Sequence, residues 1–219
     1  MRFLWQTWFA VAACCIATTT TAQNQAGENL TTSARLLVAA RNADADGLKR
    51  ALADGAGVNA RNRLGESALI ILLKQDRVDL AQLVLDAGAD VNQPAVNGVT
   101  PLMTAAFNGQ SDMAKQLLAK GANPAALDRL QKNAMTYAAG AGRTEIVAML
   151  LARGVDPNAV YSNDLTALMW AAGFGKTDTV RLLLAAGANP ALKDNRGKTA
   201  ADIARAEGFS ETVAVLESK

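Results

Sequence analysis

The sequence contains no histidine. That absence removes the Ser-His-Asp and Cys-His catalytic arrangements, the His-containing zinc sites and the usual proton shuttle at neutral pH. Cysteine is almost missing as well: Cys14 and Cys15 are adjacent, which offers no disulfide scaffold. Basic clusters are missing too. The 22 Lys and Arg, against 20 Asp and Glu for a net charge of +2, are scattered singly, so the electrostatic footprint of a nucleic-acid binder is not there. The longest apolar run, Trp8 to Ala17, has ten residues, whereas a helix needs about 20 to cross a bilayer. No membrane span is expected. What the chain does have is 219 residues, half of them hydrophobic, enough for one or two domains with a real core.

The amino terminus reads as an address. Arg2, the apolar run and the small polar residues that end at Ala22 follow the order of a secretory signal peptide, with Thr20 and Ala22 as the small residues before a cut. Cleavage after Ala22 removes both cysteines. The alternative is lipidation, because Val11-Ala12-Ala13-Cys14 resembles a bacterial lipobox and Cys14 would then carry a membrane anchor. Residues 23–33 read as a flexible linker. The alanine-rich mixture fits an exported bacterial protein, and the sequon Asn29-Leu30-Thr31 is read as chance.

Beyond residue 33 a period organises the chain. Gly55, Gly88, Gly121, Gly154 and Gly187 are each 33 residues apart, as are Ser67, Thr100, Asn133, Thr166 and Thr199. Gly109, Gly142, Gly175 and Gly208 form a third register of the same period, and Pro124, Pro157 and Pro190 a fourth. The Ser/Thr/Asn register supplies side chains that cap a helix start, so a first helix begins there in each repeat. Its small-residue segments, such as Leu102-Met103-Thr104-Ala105-Ala106, let neighbours approach closely, and the third-register glycine ends it. Ser111, Thr144, Thr177 and Ser210, each followed by an acid, are expected to cap a second helix. The apolar stripe of that helix, Ile146, Val147, Leu150 and Leu151, recurs at spacings of three and four. Gly121, Gly154 or Gly187 then stops it as a left-handed cap.

Gly98-Val99-Thr100-Pro101-Leu102, Ala105-Ala106, Gly109, Leu117-Leu118 and Gly121-Ala122-Asn123 together resemble the ankyrin repeat. The resemblance covers residues 34–219: a partial repeat 34–61, full repeats 62–94, 95–127, 128–160 and 161–193, and a terminal one 194–219. It implies an all-α solenoid of stacked helix-turn-helix units with hairpin-like loops. Two departures stand out. The family's Thr-Pro-Leu-His is never complete, its His position holding Ile70, Met103, Thr136, Met169 and Asp202, so a polar tie between repeats is expected to be missing or replaced. The family's turn glycine is replaced by Gln131 and Asp164, so the tips of repeats four and five are expected to bend differently.

Two segments imitate ligand loops. Gly173-Phe174-Gly175-Lys176-Thr177 ends like a phosphate loop, but Trp170 stands where its first glycine is needed. Asn42 to Gly47 starts like a calcium loop, but Ala53 occupies the position of its bidentate glutamate. Both are read as turns between helices, and no cofactor or metal is expected. By resemblance, partner specificity lies in the tips and the ends of the first helices: Val96, Asn97, Val99, Phe107 and Asn108 in repeat three, Arg129, Leu130 and Lys132 in repeat four, Tyr161, Ser162, Asn163, Leu165 and Phe174 in repeat five. Val99, Phe107, Leu130, Leu165 and Phe174 suggest an exposed apolar strip on the concave face; the other reading of Phe107 and Phe174 is that they fold back as core.

These features lead to the expectation of a monomeric, exported, non-catalytic module that binds a protein partner. The partner is expected to be a periplasmic enzyme that it accompanies or protects. The alternatives are an immunity protein that neutralises a toxin and, less favoured, an enzyme using Asp/Glu acid-base chemistry.

Overall fold

The computed structural model describes residues 32–218. The expected signal segment, most of the linker, Cys14 and the sequon lie outside the described residues. Within them the chain is helical, in pairs: α1 (32–41) and α2 (Ala45–Ala53), α3 (Ala68–Lys74) and α4 (Val78–Asp86), α5 (Pro101–Asn108) and α6 (Ser111–Ala119), α7 (Ala134–Ala141) and α8 (Thr144–Ala152), α9 (Ala167–Gly173) and α10 (Thr177–Ala185), α11 (Ala200–Ala206) and α12 (Ser210–Glu217). The array starts at residue 32, so Thr32 and Ser33 belong to α1 rather than to a linker. First helices pack in one row, α3 on α5, α7, α9 and α11 in turn, and second helices from α6 to α12 in another.

Each first helix from α3 onward starts where its cap requires. Ser67, Thr100, Asn133, Thr166 and Thr199 are extended, and each side-chain oxygen accepts the amide of the residue three further on. Such a cap contributes about 1 kcal/mol. The small residues behind them are buried without remainder: Ala105, Ala106, Ala138, Ala139, Ala171 and Ala172 are inaccessible to solvent. Second helices start differently from expectation. Ser111, Thr144, Thr177 and Ser210 are the first helical residues, and the caps are Gln110, Arg143, Lys176 and Phe209, none with a side-chain cap bond. The reason is the tight reverse turn after each left-handed glycine, in which the cap residue's amide donates back to the first helix, as Arg143 N does to the Ala138 carbonyl at 2.8 Å. The hydroxyls are used between repeats instead: Thr144 pairs with Thr179 and Thr177 with Thr212, both at 2.9 Å. The acids Asp79, Asp112, Glu145, Asp178 and Glu211 do sit in the first turns, at the positive ends of the helices.

The missing family histidine is replaced twice over. In three of the five repeats its position still serves the cap: Thr136 Oγ1 accepts from Asn133 N at 3.1 Å, Asp202 Oδ2 from Thr199 N at 3.0 Å and Met103 Sδ from Thr100 N at 3.4 Å. Between repeats, two other rows of bonds take over. In the loops after the second helices, Asn59, Asn92 and Asn158 accept the amides of Asp90, Asn123 and Asn189, one repeat on. At the hairpin tips the amides of Val96, Arg129 and Asn195 donate to the carbonyls of Leu64, Asn97 and Asn163.

The expected irregular tips are half right. Gln131 has φ +56°, close to the +72° of Gly65, and the hairpin of repeat four closes normally, Asp128 N donating to Lys132 O at 2.8 Å. The carboxylate of Asp128 holds this strained turn by accepting the amides of Leu130 and Lys132. Repeat five does differ, because Asn163 and Asp164 are both left-handed and the tip tightens into a 3-10 turn, Ser162–Asp164. In the calcium-like segment, Asp44 caps α2 through Gly47 N.

Candidate partner-binding site

Six aromatic residues follow position 31, and four of them meet at one place. Tyr137 on α7 and Trp170 on α9 occupy the same register one repeat apart, and both are only partly buried. Phe107 near the end of α5 meets Tyr137 edge to face, with centroids 6.1 Å apart, and Phe174 at the end of α9 stacks on Trp170 at 6.1 Å with planes 11° apart. Between these pairs lies a cavity of about 370 Å³, walled also by Lys132, Thr136, Gly140, Ala141, Arg143 and Lys176. Gly140 keeps it open: a Cβ there would lie 3.5 Å from the Phe174 ring and 3.7 Å from Trp170, so any larger side chain would fill the space.

The lining is cationic at its rim. The Lys132 ammonium sits 4.2 Å from the centre of the Trp170 ring and 5.9 Å from that of Tyr137, held by both π faces. Arg143 anchors itself by donating from Nε to the Phe107 carbonyl at 3.2 Å. Tyr137 donates its hydroxyl to Asp128 Oδ2 at 2.6 Å. Burial, reinforced by the bond to Asp128 and by its charge, pushes the Tyr137 phenol well above its ordinary pKa. The indole Nε1–H of Trp170 is buried and has no acceptor among the described residues. The tip bond that joins other neighbouring hairpins is absent between repeats four and five, where Lys132 and Trp170 meet.

A family model described as ankyrin repeats in three copies matches residues 36–128, 97–161 and 135–219. The chain belongs to the ankyrin-repeat family. Ankyrin repeats are protein-protein interaction modules and are typically not catalytic. Among the curated proteins no relative matches this sequence. Among the described residues no helix is long and apolar enough to cross a membrane.

Of the residues singled out for the ankyrin surface, the structure brings together Phe107, Lys132 and Phe174. Both phenylalanine rings are more than half exposed, at 56% and 53%, which excludes the core reading for them. Val96 and Leu130 are exposed on their own tips, apart from the cavity. The continuous apolar strip is not there. Val99 and Leu165 are partly buried and pack against the core, because their hairpins turn them toward the helices. Asn108 donates to the Leu73 carbonyl, and Tyr161 accepts from Asn133 Nδ2, so both serve as ties between repeats. Sequence reasoning missed Tyr137, Trp170, Arg143 and Lys176. The signal was in the register: Tyr137 and Trp170 stand where the neighbouring repeats carry Ile71, Thr104 and Ile203.

Proposed function

We propose that this protein is a non-catalytic, monomeric module that grips a protein partner on the face of its first helices, around Phe107, Tyr137, Trp170 and Phe174. The observation that supports it is the exposure of two phenylalanine rings beside an open cavity, on a fold whose core has no need of them. Stacked helices hold these groups in place beforehand, so little ordering entropy opposes association. The signal-like segment at residues 1–22 supports an exported protein, and the partner in this reading is a periplasmic enzyme that the module accompanies or protects.

The test is Phe107→Ala combined with Phe174→Ala. Because each ring is half exposed, the pair is expected to cost the fold about 1 kcal/mol per ring, far less than the ~3–5 kcal/mol of a buried ring. Partner capture by the double variant should fall to background while its circular dichroism and cooperative melt are kept. Capture at the level of the unmodified chain would reject this face as the binding site.

A further inference from the structure

We infer that the cavity takes an acidic segment of the partner, in which an aromatic side chain enters between the two ring pairs while flanking aspartate or glutamate side chains meet the rim. This inference rests on the interaction reading above and names the chemistry that the site selects.

The space fits a ring. About 370 Å³ lies at the low end of ligand pockets, and its walls offer both faces and edges of aromatic rings, the geometries a further ring prefers. The charged groups of the lining are all cations. Lys132, Arg143 and Lys176 rim the cavity, none of them forms an ion pair among the described residues, and no carboxylate lines the space. Among the described residues, Arg143 keeps its terminal guanidinium nitrogens free of protein acceptors while its Nε donates to the Phe107 carbonyl. Both hydroxyls that reach the space are engaged: Tyr137 donates to Asp128 Oδ2, and Thr136 donates to the Asn133 carbonyl and accepts from the Asn133 amide.

The same bias extends along the hairpin tips. Glu66, Asp128 and Asp194 are buried, the first accepting from Lys74 and the others from backbone amides of their own hairpins. Turning these carboxylates inward leaves Arg63, Arg129 and Lys198 on the outside, with Arg196 paired to Asp194 and Asp164 the one exposed acid on the tips 62–66, 95–99, 128–132, 161–165 and 194–198. A basic segment would meet like charge, and a neutral one would leave the donors unmet. Because the rim cations come from two repeats, several carboxylates along a segment fit them better than a single chain-terminal carboxylate.

The experiment uses the full chain and end-blocked synthetic peptides with a central phenylalanine flanked on each side by two glutamates. Binding is followed through the emission of Trp170, isolated by subtracting the response of the Trp170→Phe variant, and in parallel by calorimetry. Saturable binding is expected. Replacing the glutamates by glutamine, or the phenylalanine by alanine, should weaken it at least tenfold, and a lysine-flanked peptide should not bind. Lys132→Gln with Lys176→Gln should weaken the glutamate peptide tenfold and leave the glutamine peptide unchanged, a charge-specific loss that damaged folding would not give. Equal binding of glutamate and glutamine peptides, no saturable response to the glutamate peptide, or equal binding of an uncharged peptide ending in a free phenylalanine carboxylate would each overturn the proposal. If it falls while the Phe107/Phe174 double variant still loses its captured protein, the interaction face stands and only the acidic segment is wrong; if capture is unaffected, both fall.

Discussion

Both tyrosines of the chain have their hydroxyls engaged inside the protein, Tyr137 by Asp128 and Tyr161 by Asn133. Burial is the main cause that raises both phenols above their ordinary pKa; the charge of Asp128 adds to it at Tyr137, and at Tyr161 the Asn133 bond partly offsets it. The folded values are above the unfolded one, so the stability that the neutral phenols contribute is complete below about pH 10 and is lost as pH rises from there through the folded values. An ultraviolet titration should therefore show clearly less phenolate at pH ~10.5 in the native chain than in urea, where about three-quarters of the phenols ionise. Two tyrosines titrating normally in the native chain would mean that neither hydroxyl is held as described. At this scale the sequence disclosed little of the site. Phe107, Phe174 and Lys132 were legible as tip and helix-end residues, but whether a ring faces solvent depends on its neighbours: Leu165 and Val99 were equally apolar and turned inward, while Trp170, set among buried alanines, turned out to line the cavity.

At the scale of elements, repetition made most of the fold legible, because a hydrogen-bonding cap and a left-handed glycine fix helix ends locally. The starts of the first helices follow from five side chains that can accept an amide. The starts of the second helices were misjudged by one residue, since a backbone bond to the preceding helix does there what a hydroxyl would otherwise do. Rows of bonds between repeats also escaped notice, though the residues that make them share the period. Ala125 interrupts one such row: it stands where Asn59, Asn92 and Asn158 each reach an amide one repeat away. Ala125→Asn should restore the bond to Asp156 N and raise the stability of the array by about 1 kcal/mol. A urea melt checks this, and an unchanged or lowered midpoint would show that the loop of repeat three cannot adopt the geometry of its neighbours.

At the scale of the whole molecule, each repeat covers its apolar faces with its neighbours, so damage in one is felt in all. Gly154 has φ +81° and open space around the position of an added Cβ, so Gly154→Val tests backbone strain alone. The expected cost is about 1–2 kcal/mol, read as the same midpoint shift by far-ultraviolet circular dichroism and by Trp170 emission. Lys176→Ala, which keeps the backbone bond from residue 176 to the Ala171 carbonyl, should shift it by no more than about 0.5 kcal/mol. Separate transitions from the two probes would mean that the repeats do not melt together. For export, mass spectrometry of the secreted product should give a chain beginning at Gln23 without cysteine; an acylated Cys14 would make it membrane-anchored, and a soluble product retaining Met1 would reject both routes.

The two rows of inter-repeat bonds are each broken once, and the breaks are adjacent. Ala125 leaves the loop row open between repeats three and four, and the 3-10 turn at Ser162–Asp164 leaves the tip row open between repeats four and five. Side chains close both gaps: Arg143 and Arg153 donate to the Phe107 and Leu118 carbonyls of repeat three, and Asn133 and Thr144 bond Tyr161 and Thr179 of repeat five. Repeat four carries Lys132, Tyr137 and Arg143, repeat three Phe107, and repeat five Trp170 and Phe174. The aperture therefore belongs to no single repeat, and a partner seated in it would bridge three repeats at the point where the two regular rows are interrupted.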